Sequence, residues 1–298
     1  MNKFYKALKD PYFVAFAILK RIAFLIKDDV RYVKWQYYFS MHKKLNIADP
    51  ETYNEKLQWL KLHSKHEEYT LLVDKYEVKE YVANLIGKEH VIPTIGIWDS
   101  FDDIDFSKLP NQFVLKCTHD SGGIIICTDK SKLSISKARK KLNKCLRKRF
   151  FYENREYPYK NVRPRIIAEE YMVDESGTEL KDYKFFCFNG QPKMLFVATD
   201  RPYDTRFDFY DLNFNHLPFK QGHPWATKEI KKPKGFDEMI RLAGLLSKDI
   251  PHVRVDFYDV NGKVYFGELT FFHFGGIVPF EPEEWDYKIG EWLDLSNL

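Results

Sequence analysis

No stretch of the 298-residue sequence reaches the roughly 20 consecutive apolar residues that a membrane-spanning helix needs. Cysteine is scarce: Cys117, Cys127, Cys145 and Cys187 show no C-x-x-C spacing, which excludes a disulfide scaffold. Three of them sit inside apolar or basic runs and read as small buried thiols, which fits a reducing cytoplasm. The first apolar stretch lacks a small-residue cleavage site, which argues against a secretory leader. Net charge is only +4, so nothing global demands a polyanionic partner, and no nucleic-acid module is evident. There is no low-complexity tract and no internal repeat. What remains is a globular composition, 44% hydrophobic and 30% charged, long enough for one large domain or two lobes. Aromatics reach 17% and alternate with charged residues in strand-like runs.

Residues 1–68 read as a helical region, interrupted at Asp49-Pro50, with Thr52 placed to cap the next helix. Its "YFVAFAILKRIAFLIKDDV" is broken by Lys20 and Arg21. That pattern predicts a helix docked on the protein's own core, or a basic amphipathic helix (about residues 11–28) lying on the inner membrane surface. Val78, Val82, Leu85 and Ile86 give helical spacing that ends at Gly87. Strands then cluster with few crossover helices, which predicts an α+β fold rather than a doubly wound parallel sheet. From Lys137 to Arg149 a helix carries eight basic residues and no acidic one.

In "FVLKCTHDSGGIIICTD" (113–129), Lys116 shares a strand face with Val114 and Thr118, opposite Phe113, Leu115 and Cys117. A lysine on an inner face is costly unless an anion meets it. Asp120-Ser121-Gly122-Gly123 offers backbone N–H groups and two residues able to take positive φ, which suits a loop folding over phosphates. It is not a Walker A loop, because no G-x-x-x-x-G-K is present. A hairpin with an exposed lysine fits the same residues.

"VRVDFYDVNGKVYFGELT" (253–270) puts Arg254 and Asp256 on one strand face, and Glu268 and Thr270 on one face of the next strand. With a two-residue Asn261-Gly262 turn the acids would lie on opposite sides. A three-residue turn, with Gly262 left-handed, makes Arg254, Asp256, Glu268 and Thr270 converge, and is the expectation. Two carboxylates on one face call for a cation, and beside a phosphate loop Mg²⁺ is the natural one. A surface sheet with Arg254 paired to one of the acids is the alternative.

The succession "LLVDKYEVKEYV", "FVLKCTHDSGGIIIC", "RIIAEEYM", "KDYKFFCFNG", "RVDFY" and "FGELTFFHFGG" resembles the ATP-grasp superfamily. It looks most like the teichuronopeptide-biosynthesis (TupA-like) branch of bacterial surface-polysaccharide gene clusters, over roughly residues 50–298. The resemblance implies two α+β lobes with mainly antiparallel sheets, a small lobe at 69–165 and a large lobe at 166–298. It also implies ATP and Mg²⁺, and an ADP-forming ligase that joins an amine to a carboxylate through an acyl phosphate. By position, Lys75 and Lys116 match lysines that contact nucleotide phosphates, and Ser121, Gly122 and Gly123 match the covering loop. Glu169, Glu170, Tyr171 and Met172 match the strand that holds adenine. Asp182 and Lys184 match a ribose-side acid and a phosphate-side base. Arg254 matches the arginine on the transferring phosphoryl group, and Asp256, Glu268 and Thr270 match the metal ligands. Thr270 stands where many relatives have asparagine, which leaves a second ion open. The N-terminal residues do not resemble the usual preceding α/β domain, which leaves the substrate open.

An amino acid or amine joined to a carboxylate-bearing surface glycan or its precursor is therefore the expected reaction. Asp103 and Asp105 spell a D-x-D that would instead serve a glycosyltransferase of the same pathways, although no apolar strand leads into it. A nucleotide-binding assembly factor without chemistry is the third reading. His119 and His273 flank the two glycine loops and read as local hydrogen-bonding residues. Asp204, Asp208 and Asp211 read as turn and strand-surface charges. The basic helix reads as a solvated face, or as a seat for an acidic polysaccharide or anionic headgroups.

Overall fold

Helix starts follow the capping side chains that the sequence offers. Asp10 accepts from the Phe13 N–H at the head of α1 (Pro11–Ile22), and Asp28 does the same for α2 (Asp29–Met41). Thr52 and Glu55 form a reciprocal capping box on α3 (Tyr53–His63). Short α4 (Tyr69–Val73) leads to α5 (Val78–Ile86), which stops at Gly87 with φ +107°. The computed structural model describes residues 10–174, 177, 180–201, 204–296 and 298, so residues 1–9 of the expected helical region lie outside it.

The first sheet comprises β1 (Thr94–Trp98), β2 (Phe113–Cys117), β3 (Ile124–Cys127) and β4 (Ile166–Glu170), in the order β1-β4-β2-β3. Phe113, Leu115 and Cys117 pack with Ala138, Leu142 and Cys145 of the basic helix α6 (Ile135–Leu146), so that helix has a buried side. Lys116 therefore lies on the uncovered face, toward the second sheet. Short α7 (Phe151–Asn154) follows α6. The second sheet comprises β5 (Asp182–Phe188), β6 (Gln191–Thr199), β7 (Arg206–Asp211), β9 (His252–Val260) and β10 (Lys263–Thr270), in the order β10-β9-β5-β6-β7. Helix α8 (Phe236–Leu246) covers its far face, with Phe236 against Phe185. A small pair, β8 (Lys220–Gln221) with β11 (Phe280–Glu281), and α9 (Glu284–Glu291) complete the order. Every ladder between named strands is antiparallel, in keeping with the α+β expectation.

Two boundaries differ from the expected 1–68, 69–165 and 166–298. Strand β4 pairs with β1 and β2, so the first sheet runs through Glu170. Tyr53, Leu57, Val78, Val82 and Ile86 join the core of the second sheet, because the apolar stripe of α5 turns toward that sheet. All four cysteines are free and buried.

The α1–α2 hairpin is attached differently. Leu19 and Ala23 pack only with Tyr32 and a few partly buried neighbours. Burying one leucine contributes roughly 2 kcal/mol, too little to hold a helix alone. The clip is buried Arg155, which donates to the Ala23 and Ile26 carbonyls at 2.7 Å each. It also pairs with Asp29 at 2.8 Å and lies 4.2 Å over the Tyr32 ring. Among the described residues no helix is long and apolar enough to cross a membrane.

Candidate active site between the two sheets

The β9–β10 hairpin closes with two residues, not three: Val260 faces Lys263, and Asn261 (φ +57°) and Gly262 (φ +92°) are both left-handed. The cause lies one residue earlier. Asp259 accepts from the Gly262 N–H at 2.6 Å and the Gly235 N–H at 2.7 Å, fastening the tight turn. A regular ladder from that turn would put Glu268 across from Val255, on the wrong face. A bulge at Gly267 supplies the missing residue, so Glu268 faces Asp256 and Thr270 faces Arg254. A side chain there would meet the Asp256 carbonyl oxygen at 3.1 Å and the Tyr258 ring at 3.2 Å. The four side chains thus converge, but through the bulge and not through the expected turn.

Their contacts form one ionic cluster. Arg254 grips Asp256 with two bonds of 2.7 and 2.8 Å and reaches Glu268 at 3.2 Å and Thr270 Oγ1 at 3.0 Å. Lys184, opposite Asp256 on β5, pairs with the same carboxylate and lies 3.6 Å from Asp182. Asp182 is paired in turn with Arg201. The pairing that a plain sheet would make is therefore present, but it is not on the surface: Asp256 is fully buried and Arg254 nearly so. Burial of this many charges is a poor way to stabilise a fold, which marks the cluster as a functional candidate. Burial pushes the Asp256 carboxyl up, although Arg254 and Lys184 oppose it. Burial would also raise Glu268, but Lys75, Lys184 and Arg254 outweigh it and hold that carboxyl down at about 2. The Glu268 side chain is 37% exposed, the open member of the set.

His273 holds the arginine from behind. Arginine only donates, so His273 Nδ1 accepts from Arg254 Nη1 at 2.7 Å. His273 Nε2–H must then donate to Gln221 Oε1 at 2.9 Å, while Gln221 Nε2 donates to the Val278 carbonyl at 3.0 Å. The chain fixes a neutral imidazole, and burial beside Arg254 holds its pKa well below the ordinary histidine value. The sequence points to His273 only as a neighbour of a glycine loop, and nothing in it singles out Gln221.

Facing this cluster, the first sheet contributes Lys116 and Glu169, while Lys75 comes from the turn before α5 and Lys79 from α5 itself. With Phe266 and Gly267 of β10 they line a narrow cleft. Lys116 lies 2.6 Å from Glu169 Oε2, and Lys79 lies 2.5 Å from Glu169 Oε1. Burial would depress Lys116, but Glu169 reverses this and keeps it charged. The Glu169 side chain, on the strand matched to the adenine site, is the buried counter-ion of two lysines. No sequence signal marks Lys79, because its partner is 90 residues further along the chain. Lys75 donates to the Asp120 carbonyl at 2.7 Å and lies 4.0 Å from Glu268, joining loop and cluster.

The loop itself departs from expectation. Gly122 and Gly123 do not take positive φ. Their N–H groups donate to Asp120 Oδ1 at 3.3 and 2.9 Å, so the amides expected to face phosphate satisfy an internal carboxylate. Gly123 is needed for close approach instead, since a Cβ would lie 2.7 Å from Cys117 Sγ. Ser121 is exposed, as is Glu170 at the end of β4, with Tyr171 and Met172 half-buried after it.

Other flagged residues lie elsewhere. Asp103 and Asp105 sit in an exposed turn where Asp105 accepts from Ser107, so the D-x-D spelling forms no shared site there. His119 is a buried packing residue whose Nε2 meets the Cys145 carbonyl at 3.1 Å. Asp208 is buried, correcting its reading as a surface charge, because it bonds His216 and the Ala226 N–H. Among the described residues no three His, Cys, Asp or Glu gather into a self-sufficient metal cage. Two carboxylates and a hydroxyl suit a hard ion that takes its other oxygens from phosphates, as Mg²⁺ does.

The family model described as TupA-like ATPgrasp matches residues 55–294. No curated protein matches the chain. Among solved structures, the D-alanine–D-alanine ligase of Bacillus anthracis complexed with ATP is similar at 14% identity and TM-score 0.39, over 67% of this chain and 54% of that one. The chain thus spans about half the length of that ligase. The D-alanine–D-alanine ligase of Helicobacter pylori aligns at 14% identity and TM-score 0.41, over 82% of this chain and 70% of that one. The ATP-grasp ligase PsnB, solved with minimal precursor, Mg and ADP, aligns at 11% identity and TM-score 0.38, over 72% of this chain and 56% of that one.

Proposed function

The chain belongs to the TupA-like ATP-grasp family and has the ATP-grasp fold, and from that premise we propose that it is an ATP-dependent carboxylate–amine ligase. The observation that carries the reading is the cluster of Arg254, Asp256, Lys184, Glu268 and Thr270 opposed by Lys75, Lys116 and the 120–123 loop. It supplies cations for a polyphosphate and carboxylates for an ion, with no nucleophile of its own. Phosphoryl transfer asks for this, because positioning and charge neutralisation dominate its catalysis.

In this reading a substrate carboxylate oxygen attacks the γ-phosphorus of ATP, the bond to the β-phosphate bridging oxygen breaks, and ADP leaves. The amine nitrogen then attacks the acyl carbon, phosphate departs, and the amine proton goes to phosphate or water. Arg254 bears on the transferring phosphoryl group, and Lys184 on the phosphate side. Lys75 and Lys116 hold the nucleotide phosphates under Ser121, Gly122 and Gly123. Glu170, Tyr171 and Met172 line the adenine, and Asp182 the ribose side. Asp256, Glu268 and Thr270 would hold Mg²⁺, which neutralises phosphate charge when bound.

The acceptor class is a carboxylate-bearing surface polysaccharide or its cytoplasmic precursor, and the donor an amino acid or amine. An acidic glycan chain running beyond the cleft would suit the basic surface of α6 and the residue after it, where Lys137, Lys140, Lys144 and Arg147 make no ion pair among the described residues. The test is ADP release from Mg-ATP against a panel of uronic acids and amino acids, with hydroxylamine to trap an acyl phosphate. ADP formed only with a carboxylate present supports the ligase. Nucleoside diphosphate released from a sugar nucleotide without ATP would move the reading to a glycosyltransferase, and ATP binding without turnover to an assembly factor.

A further inference from the structure

The α1–α2 hairpin concentrates exposed apolar side chains that are scattered elsewhere on the surface. Val14, Ile18, Ile22 and Leu25 recur at three- and four-residue spacing along α1 and the turn after it, apart from the Leu19 and Ala23 that touch Tyr32. Ile18 is 54% exposed, Phe24 63% and Leu25 65%. Val30, Trp35 and Tyr38 of α2 add to the patch. Eight of the 17 exposed large hydrophobics among the described residues fall within positions 14–38, a concentration unlike scattered surface exposure. Arg21, Lys27 and Lys34 lie in the same segment and make no ion pair among the described residues. Arg31 sits 5.9 Å over the Trp35 ring.

We propose that this hairpin is a docking face for an anionic lipid surface. The stripe would enter the acyl boundary, with Trp35 and Tyr38 at headgroup level and the free cations on the headgroups. Charge selects this occupant. A second copy would bring the unpaired Arg21, Lys27 and Lys34 against their own kind, whereas anionic headgroups neutralise them. The inference stands apart from the ligase chemistry, since none of these residues belongs to the site between the sheets.

The experiment is flotation of the full chain with vesicles of phosphatidylcholine alone or with 30% phosphatidylglycerol. Binding is expected to the anionic vesicles and to fall steeply as salt is raised. The triple change Arg21→Gln, Lys27→Gln, Lys34→Gln should weaken partitioning on the order of a hundredfold, at roughly fivefold per basic residue. Ile18→Asp with Leu25→Asp should abolish it. Both variants should keep the wild-type melting shift with Mg-ATP, which separates lost docking from lost folding or nucleotide binding. Absence of binding to either vesicle would overturn the proposal. So would a concentration-dependent dimer in light scattering that Ile18→Asp dissociates.

Discussion

Removing Lys116 should damage the protein twice, and the two losses can be separated. Its ammonium lies 2.6 Å from Glu169, whose side chain is only 6% exposed. Lys116→Met keeps the apolar stem but leaves a buried carboxylate with Lys79 alone. Breaking a buried pair by one partner costs roughly 3–5 kcal/mol, and the Lys79 that remains brings the expectation to about 2–3 kcal/mol. At about 2 °C per kcal/mol for a chain of this size, melting should fall by roughly 5 °C. Adding Glu169→Gln removes the stranded carboxylate but leaves the buried Lys79 ammonium without its partner, so the double variant should recover only part of that stability. It should not recover nucleotide binding. A lost charge-assisted bond to phosphate is worth roughly 1.5–3 kcal/mol, or about 10- to 150-fold in Kd for Mg-ATP. Differential scanning fluorimetry and isothermal titration on the four proteins of the cycle read both quantities. If the double variant binds Mg-ATP like the wild type, Lys116 is only a counter-ion and the phosphate assignment fails.

Glu268→Gln should leave the fold and melting nearly unchanged, because the side chain is partly exposed, while ADP formation drops by at least about 100-fold. Turnover that survives would put the ion elsewhere. His273→Phe should lower kcat with little change in KM for ATP, by freeing Arg254 without touching ligand, and His273→Asn should restore part of it; an unchanged kcat would remove the relay. Stability should also fall in mild acid through His252, whose Nε2 meets the Tyr53 hydroxyl and whose Nδ1 meets the Cys187 carbonyl. Burial lowers its pKa to about 3, so the unfolded chain binds the proton first. The contribution is whole above about pH 6.5 and should shrink by about 3 kcal/mol by pH 4.5. Urea melts of wild type and His252→Gln across that range should diverge in slope by one proton, and parallel slopes would refute the assignment.

What is legible in the sequence is what local rules control. Alternation places Lys116 on the face away from Phe113 and Leu115, and Thr52 announces the cap of α3. The ordered motifs locate the fold and most of the residues that meet in the cleft. What is not legible depends on partners distant in the chain. Asp259 tightens the turn through Gly235, a residue 24 positions earlier, so turn length could not be read from Asn261-Gly262 alone. Glu169 finds Lys79, and His273 finds Gln221, only after the sheets have packed. The N-terminal stretch supports two readings because apolar spacing does not say which stripe is covered.

The bulge at Gly267 fixes how many residues the hairpin can hold between its two acids. Eleven residues separate Asp256 from Glu268, whereas a two-residue turn with a regular ladder accommodates ten, so the extra residue must be absorbed in the turn or in a bulge for the acids to meet. The turn and the bulge each contribute one adjustable residue to that count. A three-residue turn between Val260 and Lys263, with Gly267 deleted, would hold the same eleven residues and leave Glu268 facing Asp256. Turn length and bulge are therefore interchangeable solutions to one geometric requirement, and proteins built on this hairpin can swap one for the other without moving a single site residue.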